Sequence, residues 1–164
     1  MRVLIVSQYF WPENFRVNDL AASLQAQGHD VTVLTGQPNY PDGRFFPGYG
    51  VCSKTEESYY GIRVLRVPLI PRGGSGAFRL MLNFCSFALS ASVFGSWRCR
   101  ASYDVILVFE PSPVTVGIPA IVLKKLRGTP ILFWVQDLWP ESLSATGATE
   151  SRWILRAVES LVRR

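Results

Sequence analysis

Apolar residues gather along the chain in short runs and helical stripes, and their order predicts a layered α/β fold. "RVLIVS" (2–7) is a continuous apolar run rich in Val and Ile, the pattern of a strand covered on both faces. After the loop "QYFWPEN", Asn14 is placed to cap a helix in which Val17, Leu20, Ala21 and Leu24 recur at i, i+3, i+4 and i+7 before Gly28 closes it. "DVTVLTG" (30–36) then supplies a second strand. Strand, helix and strand in this order form a βαβ unit, with parallel strands and a right-handed crossover. "YDVILVF" (103–109), "VTVGIPAIVLKKLRG" (114–128) and "TPILFWVQ" (129–136) repeat the order, the last read as a buried strand. The expected fold is therefore α/β, a Rossmann-like doubly wound sheet with mostly parallel strands.

Between the two units lie a Pro/Gly/aromatic loop, "QPNYPDGRFFPGYG" (37–50), and "ESYYGIRVLRVPL" (57–69), which reads as a hairpin turning at Gly61. "RGGSG" (72–76) reads as a linker. The segment 77–97 is mostly apolar but carries Arg79 and Asn83. Its length approaches that of a membrane span, while Arg79 and the Ser/Gly content favour a buried or interfacial helix. "SRWILRAVESLVRR" (151–164) reads as an amphipathic helix. With no internal boundary or repeat beyond the βα units, residues 1–164 are expected to form a single domain.

Composition narrows the classes. With 48% hydrophobic and 18% charged residues over 164 positions, the chain has the material for a core and is not a disordered segment. Its net charge of +5 suits an anionic ligand or surface, but the basic residues are scattered, which disfavours nucleic acid. Cys52, Cys85 and Cys99 lack C-x-x-C spacing, which argues against a disulfide framework or a zinc site and for a reducing compartment. The N-terminus reads as a strand rather than a secretory signal. His29, the sole histidine, follows Gly28 at the end of the sheet away from the strands' carboxyl ends, and so reads as structural.

In open α/β sheets ligands bind outside the carboxyl ends of the strands, which directs attention to four loops: 7–16, 36–43, 110–113 and 136–142. None carries G-x-G-x-x-G, a P-loop or G-x-S-x-G, so neither a dinucleotide cofactor nor a hydrolase triad has its motif. Glu13, Asn14 and Arg16 stand near a helix N-terminus, where free N–H groups favour an anion; capping by Asn14 is the plainer alternative. In "PNYP" two prolines would stiffen an extended stretch and present Asn39 and Tyr40 as a hydrogen-bonding and stacking edge. Glu110 and Asp137 each follow a strand, bringing two carboxylates to one rim, a placement suited to acid/base work, sugar-hydroxyl binding or stabilisation of positive charge. Asp137 and Glu141 alternatively satisfy the N–H groups of a helix starting near Pro140.

"VLIVSQYFWPE", "LAASLQAQGHDVTVLTGQPNYPDG" and "PILFWVQDLWPES" together resemble the N-terminal half of retaining glycosyltransferases of family 4, most closely the colanic-acid and O-antigen type. The resemblance covers nearly the whole chain and implies one half of a GT-B fold, in which this acceptor-side domain faces a C-terminal domain that binds the nucleotide-sugar. That second half is absent from the chain, so the fragment alone is expected to be inactive. The resemblance further implies a polyprenyl-diphosphate-linked acceptor, catalysis without a metal or cofactor, and a cytoplasmic enzyme that meets the membrane surface through 77–97, flanked by Arg72, Arg79, Arg98 and Arg100. On this basis Asp137 and Glu110 are the candidate catalytic groups. Asn14, Arg16, Asn39, Tyr40, Gln136, Trp139 and Glu141 are the candidate substrate contacts, with Trp139 walling the cleft. Two departures stand out: "PENFR" replaces a Gly-Gly pair common after the first strand, and Gln136 stands where relatives often keep a histidine. Two rival readings are a nucleotide-sugar epimerase domain and a stand-alone membrane-docking subunit of a two-chain transferase.

Overall fold

The computed structural model describes residues 1–74, 76–111 and 113–136. Its elements are β1 (Arg2–Val6), α1 (Arg16–Ala26), β2 (Asp30–Gly36), β3 (Glu56–Tyr59), β4 (Ile62–Val67), α2 (Ala77–Arg98), β5 (Val105–Glu110), a 3-10 turn (Val114–Val116), α3 (Gly117–Arg127) and β6 (Ile131–Val135). The strands form one sheet in the order β3-β4-β2-β1-β5-β6, with every neighbouring pair parallel except β3 and β4. The order runs outward from β1 in both directions, so the topological switch point of this Rossmann-like α/β sheet lies between β1 and β5. The helical pattern at 16–26 and the apolar runs at 2–6, 30–36 and 105–110 produce their elements because each places its apolar residues at the matching period.

Both faces of the sheet are covered, which is why β1 and β5 at its centre are almost continuously apolar. On one face Val3, Ile5, Val31, Val33, Val64, Leu107 and Phe109 pack with Phe10 and with Val17 and Ala21 of α1. On the other, Leu4, Val6, Leu34, Leu65, Ile106 and Val108 pack with Phe87 and Ala91 of α2 and Ala120 and Leu123 of α3. Gly95 lets α2 approach the sheet: a Cβ there would stand 2.7 Å from the Leu34 side chain. The hairpin turns at Tyr60 and Gly61, with φ of 48° and 80°, the doubly left-handed geometry of a type I′ turn that Gly accommodates without cost.

Three local readings are corrected. Phe15, not Asn14, occupies the N-cap of α1, and it makes no side-chain cap hydrogen bond; Asn14 is exposed and sits one residue earlier. The "PNYP" stretch turns rather than extends, since Gly43 N–H donates to the Asn39 carbonyl at 2.8 Å. β6 is the outer strand among the described residues and is not buried throughout: Leu132 and Val135 are exposed, and Trp134 packs edge-on against Phe109.

Candidate functional site at the carboxyl rim of the sheet

The chain leaves β1 and β2 through loops that fold against each other, and Glu13 joins them. The Glu13 side chain is 2% exposed. One carboxylate oxygen accepts the backbone N–H groups of Asn39 and Tyr40, both at 2.8 Å, and the other accepts that of Phe10 at 3.2 Å. Burial pushes its carboxyl up to about 7, against the pull of those three donors and of the Arg66 charge. Asn18 of α1 completes the loop, donating to the Glu13 carbonyl and accepting from Trp11 N–H. Glu13, expected to stand near a polar ligand, is instead an internal anchor.

Asn39 is likewise inside. It is 0% exposed, its amide donates to the Gln37 carbonyl, and its Oδ1 accepts from Arg72 N–H at 3.0 Å and from Asn83 Nδ2 at 3.4 Å. With its hydrogen-bonding capacity committed to the scaffold, Asn39 does not offer the open edge expected from sequence. Asn83, on the buried face of α2, also donates to the Ile70 carbonyl at 2.6 Å and accepts from Gln8 Nε2 at 2.7 Å. The connections leaving β1, β2 and β4 therefore meet at one buried amide.

Arg66 makes a second junction below the rim. It is fully buried on β4, where Nη1 donates to the Gly36 carbonyl at 2.7 Å, Nη2 to the Trp11 carbonyl and Nε to Glu57. Glu57 also accepts from the Tyr49 hydroxyl at 3.0 Å. A buried guanidinium needs several acceptors and a counter-charge, and the arrangement supplies both.

Above this scaffold stands an aromatic shelf. Tyr9 stacks on Phe15, with ring centroids 4.9 Å apart and 10° between planes, and Tyr40 tilts against both at 5.6 and 5.2 Å. The Arg72 guanidinium lies over Tyr40, 5.1 Å from its centroid. Tyr9 is buried beneath, and desolvation raises its hydroxyl to about 12 despite the nearby Arg72 charge. Tyr40 keeps 38% of its surface open and Trp11 37%. The shelf thus offers a partly exposed ring with a cation over it, a combination that fits a sugar ring carrying an anionic group.

Of the residues named from sequence, Tyr40 and Asn14 are exposed on the two loops, and Arg16 is exposed at the first residue of α1. Glu110 ends β5 with its side chain 1% exposed, and its carbonyl accepts Gln136 N–H at 3.0 Å, which sets the exposed Gln136 at the same strand end. Asp137, Trp139 and Glu141 lie outside the described residues. Sequence reasoning missed the Gln8–Asn83 pair and Arg66. An Asn in an apolar helix and an Arg inside an apolar strand were the available signals. Among the described residues no group of three or more His, Cys, Asp or Glu side chains forms a metal cradle.

Comparison with curated proteins finds no match. Among solved structures, the C-terminal domain of a hydrogenase from Pyrococcus furiosus is similar in two crystal structures. One superposes with a TM-score of 0.55 at 17% identity, covering 82% of this chain and 90% of that one. The other gives 0.50 at 19%, covering 81% and 89%. At such identities the likeness is one of fold, the Rossmann-like α/β sheet. The model of the family described as "Glycosyl transferase 4-like domain" matches residues 14–164, which include Arg16, Tyr40 and Arg72 of the rim, and the chain belongs to that family.

Proposed function

We propose that this domain is the acceptor side of a retaining glycosyltransferase of the colanic-acid and O-antigen type. The enzyme moves a sugar from a nucleotide-sugar donor onto a lipid-linked saccharide at the cytoplasmic face of the membrane. The observation that carries this reading is the shelf of Tyr9, Phe15 and Tyr40 with Arg72 over the outer ring. The C–H faces of a saccharide pack on an exposed aromatic ring, while a guanidinium pairs with phosphate oxygens. Both features stand at the carboxyl rim, where this class of sheet receives its ligands.

For the described residues the roles follow from position, and for Asp137, Trp139 and Glu141 from the family resemblance. Tyr40 stacks the acceptor sugar and Arg72 holds the anionic group next to it. Asn14 in the loop after β1 and Arg16 at the start of α1 line the same side, and Gln136 approaches from the end of β6. Asp137 orients substrate or stabilises the positive charge that develops as the glycosidic bond to the donor breaks, and Glu110, 1% exposed, stands behind the rim rather than in contact with substrate. Trp139 and Glu141 are taken as substrate contacts on the family resemblance alone, and a partner domain holds the nucleotide-sugar. Asn39 leaves the set of substrate contacts and becomes a scaffold residue.

The test is calorimetric titration of the chain with a soluble saccharide diphosphate and, separately, with a nucleotide-sugar. Tyr40→Ala is expected to weaken saccharide diphosphate binding at least tenfold with nucleotide-sugar binding unchanged. The opposite pattern, with nucleotide-sugar binding lost and saccharide binding intact, would sink the acceptor-side assignment.

A further inference from the structure

The loop after β1 sends its rings to two places. Tyr9 and Phe15 build the shelf, whereas Phe10 and Trp11 turn to the α1 face of the sheet and meet the β3–β4 hairpin. There Tyr59 packs edge-on against Phe10 with ring centroids 5.3 Å apart and lies 5.5 Å from Trp11 with 33° between planes. Tyr60 meets Tyr59 edge-on at 4.7 Å. Phe10 is 0% exposed and anchors the row in the core, while the outer members are open, Trp11 at 37% and Tyr60 at 80%.

Tyr60 is a poor residue for its backbone. With φ of 48° it is the sole non-glycine residue of positive φ among the described residues. The first position of a type I′ turn favours Asn, Asp or Gly, and a bulky side chain in left-handed backbone is strained. The strain sets an almost fully exposed ring at the end of the row. The other rings are held in place: Trp11 N–H donates to Asn18 Oδ1 at 3.0 Å, the Trp11 carbonyl accepts from buried Arg66, and Tyr59 pairs with Ile62 in the sheet. Two polar side chains of α1 border the row. Gln25 accepts from Val31 N–H through Oε1, and its Nε2 stands 3.8 Å from where a Cβ on Gly61 would lie. Asp19 is exposed and close to Tyr59, whose hydroxyl is raised above its usual range by burial first, then by Tyr60 and the Asp19 charge.

We propose that Trp11, Tyr59 and Tyr60 form a second saccharide platform, which takes neutral sugars by stacking on the rings and by hydrogen bonds between sugar hydroxyls and Asp19 and Gln25. A neutral hexose presents an apolar C–H face and a rim of hydroxyls. The row supplies ring faces for the first, and the two α1 side chains supply an acceptor and a donor for the second. The shelf differs in carrying the Arg72 guanidinium over Tyr40, which suits a charged group. A stable protein interface takes about 800 Å² from each partner, more than two open rings and part of a third present, and the side chains bordering the row are polar. Rings already fixed by the scaffold lose little freedom when a sugar binds. One loop carries rings of both the shelf and the platform, so a glycan with its charged end at Arg72 lays its distal, neutral sugars here. In that use the inference rests on the acceptor-side reading and makes the acceptor an oligosaccharide; the stacking chemistry does not depend on it.

The experiment is retention of the chain on an array of neutral oligosaccharides built from hexoses and N-acetylhexosamines, with a thermal melt and a sedimentation run on each variant. The wild type is expected to be retained. Tyr60→Asn suits the turn, so it is expected to melt no lower than the wild type while its apparent affinity falls roughly tenfold. Tyr60→Trp restores a ring and is expected to keep the retention. No retention of the wild type on any glycan overturns the proposal, as does undiminished retention of Tyr60→Asn. A loss in Tyr60→Trp as large as that in Tyr60→Asn traces the effect to the turn rather than the ring and also overturns it. So does a dimer that Tyr60→Asn dissolves without glycan retention, which assigns the row to a second copy. Retention lost in Tyr40→Ala and kept in Tyr60→Asn leaves the acceptor-side reading standing and fells the platform alone. Retention lost in Tyr60→Asn, with saccharide diphosphate binding untouched by Tyr40→Ala, upholds the platform and fells the acceptor role of the shelf.

Discussion

Gln8 and Asn83 lie 75 positions apart in sequence and meet inside the protein, with Gln8 Nε2 donating to Asn83 Oδ1 at 2.7 Å. The pair connects the first rim loop to α2, and through the other side of the same amide to Ile70 and Asn39. Replacing Asn83 by Leu leaves the Gln8 amide and the Ile70 carbonyl buried without that partner. At about 1–3 kcal/mol for each of the two orphaned groups, the loss of stability is expected at roughly 2–6 kcal/mol. Hydrogen exchange separates this from general loosening: protection is expected to drop first at 8–13 and 37–43 and to persist in β1 and β5. A uniform drop across the sheet would show that Asn83 only fills space.

Much of the architecture was open to reading because it is local or periodic. The apolar runs at 2–6, 30–36 and 105–110 became central strands, Gly61 turned its hairpin, and 77–98 became one helix. The rim was less legible because its contacts join residues distant in sequence. Nothing in "PENFR" says that Glu13 reaches the backbone of Asn39, 26 positions on, so a carboxylate near a helix start read as ligand-facing. Asn39 was misread for the complementary reason: a polar residue between prolines suggests a surface turn, and only the folded chain shows α2 and the 70–72 connection closing over it. β6 erred the other way. A strand at the edge of the described sheet has the same apolar run as a central one, and burial depends on what packs beyond it.

Glu13 provides a pH dependence with a defined sign. Its carboxyl is raised from 4.5 to about 7 in the folded protein, chiefly by desolvation. Between these values the folded state holds a proton that the unfolded chain has released, so this group's contribution is fully present below 4.5 and is lost as pH rises to 7. The change is at most about 3.5 kcal/mol at ~1.4 kcal/mol per unit. Glu13→Gln does not titrate. In chemical denaturation across this range, the stability difference is expected to shift in favour of the Gln variant as pH rises. A shift in favour of the wild type would mean that the three N–H donors outweigh burial and hold the carboxylate ionised.

Arg66 and Glu57 form a pair in which the guanidinium is fully buried and Glu57 keeps 13% of its side-chain surface. Removing one member of such a pair strands the other, typically at about 3–5 kcal/mol, whereas replacing both with apolar groups is often neutral. Arg66→Met is therefore expected to lose several kcal/mol in urea denaturation, and Arg66→Met/Glu57→Leu to recover a large part of it. The double variant recovers less than the full amount, because the Gly36 and Trp11 carbonyls still lack the guanidinium. If the double variant is as unstable as the sum of the single ones, the two residues are not energetically coupled.

Gly36, the last residue of β2, tests how closely the two rim loops must approach. Its N–H donates to the Gln8 carbonyl at 3.2 Å, and a Cβ built on it would stand 2.3 Å from Leu69 Cδ2 and 3.1 Å from the Gln8 oxygen. Leu69 is 2% exposed, so its side chain has little room to withdraw. Gly36→Ala is expected to destabilise by about 1–3 kcal/mol through overpacking. The neighbours differ in how they can respond: a side chain can be shortened, whereas the Gln8 carbonyl is fixed in the loop. Leu69→Ala alone costs its own cavity, but combined with Gly36→Ala the two changes should be less than additive, since the smaller side chain vacates the space the new methyl enters. Thermal melts of the four proteins measure the coupling. Strict additivity would place the strain at the Gln8 carbonyl, and saccharide binding would then fall in Gly36→Ala whether or not Leu69 is shortened.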